Sequence, residues 1–260
     1  MAHKRYQTKL DAPYLKTIRL MPEKMEEGYP FNLPWMNDPD FELRFQEPVT
    51  IIVGENGTGK STLVEAIAAL SGYDEAGGGK GYMPVDHSRA LDRSGALLAK
   101  AIRAAWLPKI TNGWFFKAES FFSVARYLDE AAQDAPGPPP PDFLSYSHGE
   151  GFMRVFEERM SRQGIYFMDE PESALSPKRQ LGLLRILARL QSSAKAQVIM
   201  ATHSPILMAL PGADVWQITK GGITPVDYRD TSHFRLYRDF TIDPENFIAE
   251  AIADETESHF

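Results

Sequence analysis

The run Ile51-Ile52-Val53-Gly54-Glu55-Asn56-Gly57-Thr58-Gly59-Lys60-Ser61-Thr62 constrains this chain more than any other stretch. An apolar β-rich segment feeds a glycine loop, and Lys-Ser-Thr then opens the helical pattern Leu63–Leu70. Strand, GxxxxGK[ST] loop and helix in that order make a phosphate-cradling loop, the P-loop, and call for an α/β fold. The glycines let backbone N–H groups point at phosphate oxygens, and the positive helix N-terminus adds to their pull. Gly54, Glu55, Asn56, Gly57, Thr58, Gly59, Lys60, Ser61 and Thr62 are therefore the expected binding segment for a nucleoside triphosphate. Lys60 is expected to reach the β- and γ-phosphates and the Ser61 hydroxyl to be a Mg²⁺ ligand.

A second buried-strand pattern, Gly164-Ile165-Tyr166-Phe167-Met168-Asp169-Glu170-Pro171, ends in two carboxylates. A strand apolar on both faces suits the middle of a parallel sheet, and ligands of open α/β sheets sit at the C-terminal ends of such strands. Asp169 is then placed to hold Mg²⁺ through water, and Glu170 to orient and deprotonate an attacking water. The competing reading is that the two acids merely cap the helix that follows Pro171.

Further motifs carry a resemblance to a family. Asp169-Glu170-Pro171-Glu172-Ser173-Ala174-Leu175-Ser176 resembles the Walker B and D-loop of ATP-binding-cassette (ABC) ATPases. Val198-Ile199-Met200-Ala201-Thr202-His203-Ser204-Pro205 is similar to their next strand and switch histidine, and Leu144-Ser145-Tyr146-Ser147-His148-Gly149-Glu150-Gly151 to their signature loop. His148 stands where the signature pattern has Gly, while Ser147 keeps a hydroxyl and Gly149 a close backbone approach. The details resemble small stand-alone bacterial ATPases near the structural-maintenance-of-chromosomes (SMC), recombination-repair and overcoming-lysogenization-defect groups. Trp114–Phe122 occupies the place of the Q-loop without a Gln, and Glu119 is its nearest polar equivalent.

The resemblance implies a P-loop NTPase of the ABC type. Its sheet would be mixed and mostly parallel, with an N-terminal antiparallel β layer and a helical lobe. Residues 1–260 would be a single domain, with 72–150 the inserted lobe ending in the signature loop. ATP and Mg²⁺ would be bound, with Ser61 and Asp169 at the metal, and Glu170 and His203 catalytic. His203 would donate to the γ-phosphate and help position Glu170 and the water. Each chain would own half a site, closed in the ATP-bound state by Ser147 and Gly149 of a second copy.

Composition sets the outer bounds. The chain has 260 residues, 43% hydrophobic and 24% charged, enough for one large or two small globular domains. No apolar run approaches a membrane span and Met1–Arg5 lacks a signal-peptide core, so the expectation is a cytoplasmic protein without membrane insertion. The absence of cysteine excludes disulfides, thiol catalysis and zinc-hook assembly. A net charge of −7 argues against a uniformly basic nucleic-acid coat but not against a local patch.

Short strands are expected at Tyr14–Leu20, Phe41–Phe45 and Val49–Val53, forming an antiparallel layer that includes the P-loop strand. Between the first two, Met21–Asp40 is an irregular insertion. Its Tyr29, Phe31 and Trp35 either pin the loop to the sheet or supply an aromatic that stacks on adenine. Helical periodicity covers Ser94–Leu107, a strand pattern Trp114–Glu119, and a helix Ser120–Ala132. The proline-rich 135–142 reads as a stiff hinge or a ligand for an SH3-type domain. The insertion has no sustained heptads and no room for long coiled-coil arms.

Lys178–Ser193 is expected to be an amphipathic helix with Leu181, Leu184, Leu187 and Leu190 inward. Lys178, Arg185 and Arg189 share its other side, as a solvated face or a contact for phosphate backbone or an acidic partner. Strands at Val215–Ile218 and Ile223–Val226 flank a Lys220-Gly221-Gly222 turn, and Pro225 marks the second as an edge. Three functional classes follow: a soluble ATPase switch acting on nucleic acid or an effector protein in genome maintenance or defence, the ATP-binding subunit of an ABC transporter, and a regulatory ATP-binding module with little turnover.

Overall fold

Three strands are buried at every position: Val49–Gly54 (β3), Gly164–Asp169 (β7) and Ala196–Ala201 (β8). Their Val, Ile, Phe and Met side chains cannot face water on either side, so they occupy the middle of a covered sheet. The computed structural model describes residues 10–38, 40–80, 94–110, 112–119 and 148–257. The remaining described strands are Leu15–Leu20 (β1), Glu42–Arg44 (β2), Gly78–Gly79 (β4), Ile102–Trp106 (β5), Gly113–Lys117 (β6), Asp214–Thr219 (β9) and Gly222–Pro225 (β10). The described helices are Lys60–Ser71 (α1), Ser94–Lys100 (α2), His148–Arg159 (α3), Pro177–Ser193 (α4), Pro205–Met208 (α5), Ser232–Ile242 (α6) and Pro244–Glu257 (α7).

The main sheet runs β10-β9-β3-β8-β7-β6-β4. From β9 to β6 all neighbours are parallel, and only β10 and β4 at its two edges are antiparallel. Side chains alternate across it. Ile51, Val53, Met168, Val198 and Met200 face one core with Phe152, Phe156, Leu183 and Leu187 of α3 and α4. Ile52, Ile165, Phe167 and Ile199 face the other, filled by Leu63 and Ile67 of α1 and by Leu15, Ile18 and Leu43 of a second sheet. That smaller sheet, β2-β1-β5, is antiparallel throughout.

The expected mostly parallel sheet and separate antiparallel layer are both present, with two corrections of membership. The P-loop strand β3 lies inside the parallel sheet, not in the antiparallel layer, because it is apolar on both faces and needs cover on both. The third strand of the layer comes instead from within the expected helix 94–107. That segment is helical only over α2 and then extends as β5, whose Ile102, Ala104 and Trp106 pack on one face. The 72–150 stretch thus supplies strands to both sheets among its described residues. The expected helix 120–132, the proline-rich 135–142 and Ser147 lie outside the described residues.

In α4 the buried side chains are Leu183, Ile186, Leu187 and Leu190, while Leu181 is 44% exposed. A run at every third residue drifts about 60° per step on a helix of 3.6 residues per turn, so Leu181 lies opposite Leu190. Lys178, Arg185 and Arg189 are exposed, as expected. The hairpin β9–β10 and its edge proline are also as expected.

One side chain locks the two sheets together. Gln197 of β8 is fully buried, and its Oε1 accepts from Tyr14 N and Leu15 N, both at 2.8 Å, while its Nε2 donates to Leu15 O at 3.0 Å. Gln197→Leu keeps the volume but leaves two buried N–H groups and a carbonyl unpaired. It is expected to lower stability by about 3 kcal/mol, read as a lower urea midpoint at an unchanged slope. A shift under about 0.5 kcal/mol would show that the clamp carries no weight.

Candidate functional site

Strand register gathers the site. Lys117 is paired with Asp169 across β6 and β7, Asp169 with Ala201 across β7 and β8, and Ala201 with Ile52 across β8 and β3. The C-terminal ends of four neighbouring strands therefore lie in one row, and the P-loop, the Asp169-Glu170 pair and the Thr202-His203 pair leave the sheet side by side. Two cross-links tie them further: Glu170 N donates to Ala201 O at 3.0 Å and Thr202 N to Ile52 O at 3.1 Å.

The P-loop is held from behind. Gly59 caps α1 in the left-handed region (φ 91°), and a Cβ there would lie 2.6 Å from the Leu33 side chain. Trp35, 1% exposed, donates its indole N–H to Thr58 O at 3.2 Å. Trp35 and Leu33 thus pin the insertion to the loop, and Phe31 is buried in the same core. Tyr29 is half exposed with its hydroxyl 2.6 Å from Thr62 Oγ1. Lys60 begins α1, is buried, and donates from Nζ to Glu55 O at 3.0 Å. Burial pulls its pKa down, against the attraction of Glu170, Asp169, Glu55 and Glu172.

Asp169 ends β7, 6% exposed. Ser61 lines the same cleft, and among the described residues the Asp169 Oδ1 has no hydrogen-bond partner. Burial raises its pKa to about 6, against the pull of Ser61 and Lys117. A buried carboxylate oxygen left over beside a hydroxyl is a hard-oxygen donor pair of the kind Mg²⁺ takes, together with substrate phosphates. Ser61, Asp169 and Glu170 line one cleft of about 550 Å³ with Lys117, Ala118, Glu119, Ser173 and Ala174.

Glu170 stands at the N-cap of the short 3-10 turn Pro171–Ala174 but makes no side-chain capping bond. Its backbone is left-handed (φ 46°), and its side chain turns towards His203, with Oε1 3.5 Å from Nε2. A non-glycine residue in that conformation needs the surrounding structure to hold it. The capping alternative is therefore not what the acid does here.

Four residues at the site escaped the sequence reading. Lys117 pairs with Glu65 of α1 at 2.6 Å, both nearly buried, and lies 3.8 Å from the exposed Glu119. Burial lowers the Lys117 pKa, but Glu65 outweighs it and the net shift is upward. A fixed cation thus ends β6, two residues before Glu119. Glu172 accepts from His203 N at 2.6 Å and from Thr202 Oγ1 at 2.7 Å, clamping the turn that carries the histidine. Burial raises the Glu172 pKa, opposed by those two bonds. The fourth is His233, whose Nε2 is 2.8 Å from His203 Nδ1. Gly149 sits in the first turn of α3, away from this row in sequence and with its partner Ser147 not described.

Parts of the chain match known families and proteins. Residues 137–209 match the family described as "AAA domain, putative AbiEii toxin, Type IV TA system", and residues 35–93 match one described as "AAA domain". The chain is 26% identical over 206 residues to the "Probable amino-acid ABC transporter ATP-binding protein y4tH" of Sinorhizobium fredii, covering 70% of this chain and 78% of that protein. Among solved structures it is similar to the SMC head domain from Thermotoga maritima (TM-score 0.46, 17% identity, 82% of this chain and 99% of that one). It is also similar to cbiO1 from Clostridium perfringens, part of the ABC transporter complex cbiONQ (TM-score 0.46, 14% identity, 92% and 100%). Over residues 35–93 and 137–209 the chain is thus similar to AAA-type domains, and over 206 residues to an ABC ATP-binding protein.

The raised Asp169 pKa has a stability consequence. The folded protein holds this proton up to about pH 6, whereas an unfolded Asp releases it near 3.8. The cost of the buried charge therefore grows as pH rises through that window and is complete above it. In EDTA, Asp169→Asn is expected to gain about 1–3 kcal/mol over wild type at pH 8 and almost none at pH 4, measured by urea unfolding. An equal difference at both pH values would contradict the assignment.

Proposed function

We propose that the chain is an ATP-hydrolysing switch whose two half-sites close when ATP brings two copies together. The observation that carries this reading is the row formed by Lys60, Asp169, Glu170 and His203 at the ends of adjacent parallel strands. The P-loop N–H groups and Lys60 bind and orient the β- and γ-phosphates. Ser61 and Asp169 hold Mg²⁺, which when bound neutralises charge on those phosphates. Glu170 takes the proton of the attacking water, and His203 holds Glu170 and donates from Nε2 towards the transferred group. Glu172 and Thr202 keep the His203 backbone in register with that task.

Ser147 and Gly149 of a second copy close the γ-phosphate side, so an isolated chain should turn over slowly. ATP favours the closed pair and hydrolysis removes that bias, which makes the cycle a switch. The exposed Lys178, Arg185 and Arg189 of α4 are the candidate contact for a nucleic-acid backbone or an acidic effector. The toxin–antitoxin wording of the matched family supports a defence setting. The curated relative's name favours a transporter subunit instead, but the absence of a Gln in the Q-loop segment, where Glu119 is its nearest polar equivalent, speaks against that coupling. No helix among the described residues is long and apolar enough to cross a membrane.

Lys60→Ala is expected to abolish ATP binding in calorimetric titration. Glu170→Gln is expected to bind ATP as wild type does, to lose at least about 100-fold in turnover, and to sediment as a dimer with Mg-ATP and as a monomer without it. Turnover of Glu170→Gln at the wild-type rate would remove the base assignment. A dimer indifferent to ATP would remove the switch.

A further inference from the structure

The proposed switch histidine is half of a pair. Thr231 is fully buried and caps α6, its hydroxyl accepting from Phe234 N at 3.2 Å and donating to Tyr228 O at 2.6 Å. That cap fixes the first turn of α6 against the P-loop. Ser232 Oγ donates to Glu55 Oε1 at 3.2 Å, and His233 meets His203 with ring centroids 4.9 Å apart and Nε2 2.8 Å from Nδ1. Burial lowers the His203 pKa, and Lys60 and His233 add to the effect, which favours the neutral ring.

One hydrogen lies between the two facing nitrogens of a neutral pair, and it belongs to one ring or the other. Suppose His203 Nδ1–H is the donor. His203 Nε2 is then a bare lone pair 3.5 Å from the Glu170 carboxylate, acceptor against acceptor. The proton of His233 must also sit on its Nδ1, which is buried with no partner among the described residues. An orphaned buried N–H is among the costlier defects in a folded protein. Suppose instead that His233 Nε2–H is the donor. His233 Nδ1 is then only a spare acceptor, and His203 carries its proton on Nε2, opposite the carboxylate. The second arrangement removes the acceptor clash, and its one N–H without a hydrogen bond, His203 Nε2, faces a carboxylate 3.5 Å away instead of being buried with no acceptor among the described residues.

We propose that His233 is a positioning residue for hydrolysis: its Nε2–H holds His203 in the tautomer that presents an N–H to Glu170 and the transferred phosphate. A histidine in the opposite tautomer would offer a lone pair to two anions and could neither orient Glu170 nor stabilise charge on the phosphate. The role rests on the hydrolytic reading above, and it makes the seating of α6 a condition of turnover.

The direct test is long-range ¹H–¹⁵N NMR of protein labelled at the histidine rings, near pH 7.5. The six histidines are distinguished by His203→Gln and His233→Gln spectra. Wild type should show His203 with a protonated Nε2 and an unprotonated Nδ1. Turnover should fall at least about tenfold in His233→Leu, with ATP affinity unchanged. In His233→Gln, whose amide still donates to Nδ1, it should stay within about threefold of wild type. A proton on His203 Nδ1 in the wild type would overturn the proposal, as would a Gln variant no better than Leu. An absence of any wild-type turnover would instead overturn the hydrolytic reading, and the tautomer measurement tells the two failures apart.

Discussion

The parallel pairing of β3, β8, β7 and β6 in one register is the constraint on which everything else depends. It sets the ends of four strands level. Residues from positions 54 to 203 then meet without any long loop having to reach. Because all four strands are covered on both faces, a slip of one residue would turn an apolar set against the wrong layer at each of them. The packing that fixes the sheet therefore also fixes the site.

What meets there is a set of charges that burial would otherwise forbid. Lys60 and Lys117 are nearly enclosed, and Glu65, Asp169, Glu170 and Glu172 surround them. Lys117 is matched at once by Glu65, an ion pair with short geometry, so that corner is rigid and settled. Lys60 has a backbone oxygen as its hydrogen-bond partner and feels the carboxylates only at a distance. Asp169 retains a spare oxygen and a raised pKa. The rigid pair and the strained acid lie side by side, and the strain is the kind that a divalent cation and phosphate oxygens relieve.

Much of this was legible in the sequence. The loop 54–62 and the acids 169 and 170 each announce a strand and the element that follows it, because a glycine-rich turn and a doubly apolar run have few alternative uses. The legible part is local. The Lys117–Glu65 pair spans 52 residues, and the His203–His233 and Thr202–Glu172 contacts span about 30. Such partners exist only once strands are in register, and no spacing rule encodes them. The misread helix 94–107 fails for another reason. Ala and Leu favour a helix through Lys100, and the five-residue alternation that follows is too short to outweigh them until β1 supplies a partner. In α4 the mistake was one of counting, since leucines at every third position do not share a face.

The central claim is that each active site needs two copies of the chain, and the most direct measurement is ATPase activity per molecule across a wide range of protein concentration. The account predicts that specific activity rises with concentration and levels off where sedimentation shows the ATP-bound dimer. A specific activity that stays constant down to concentrations at which the protein is monomeric with ATP bound would contradict it.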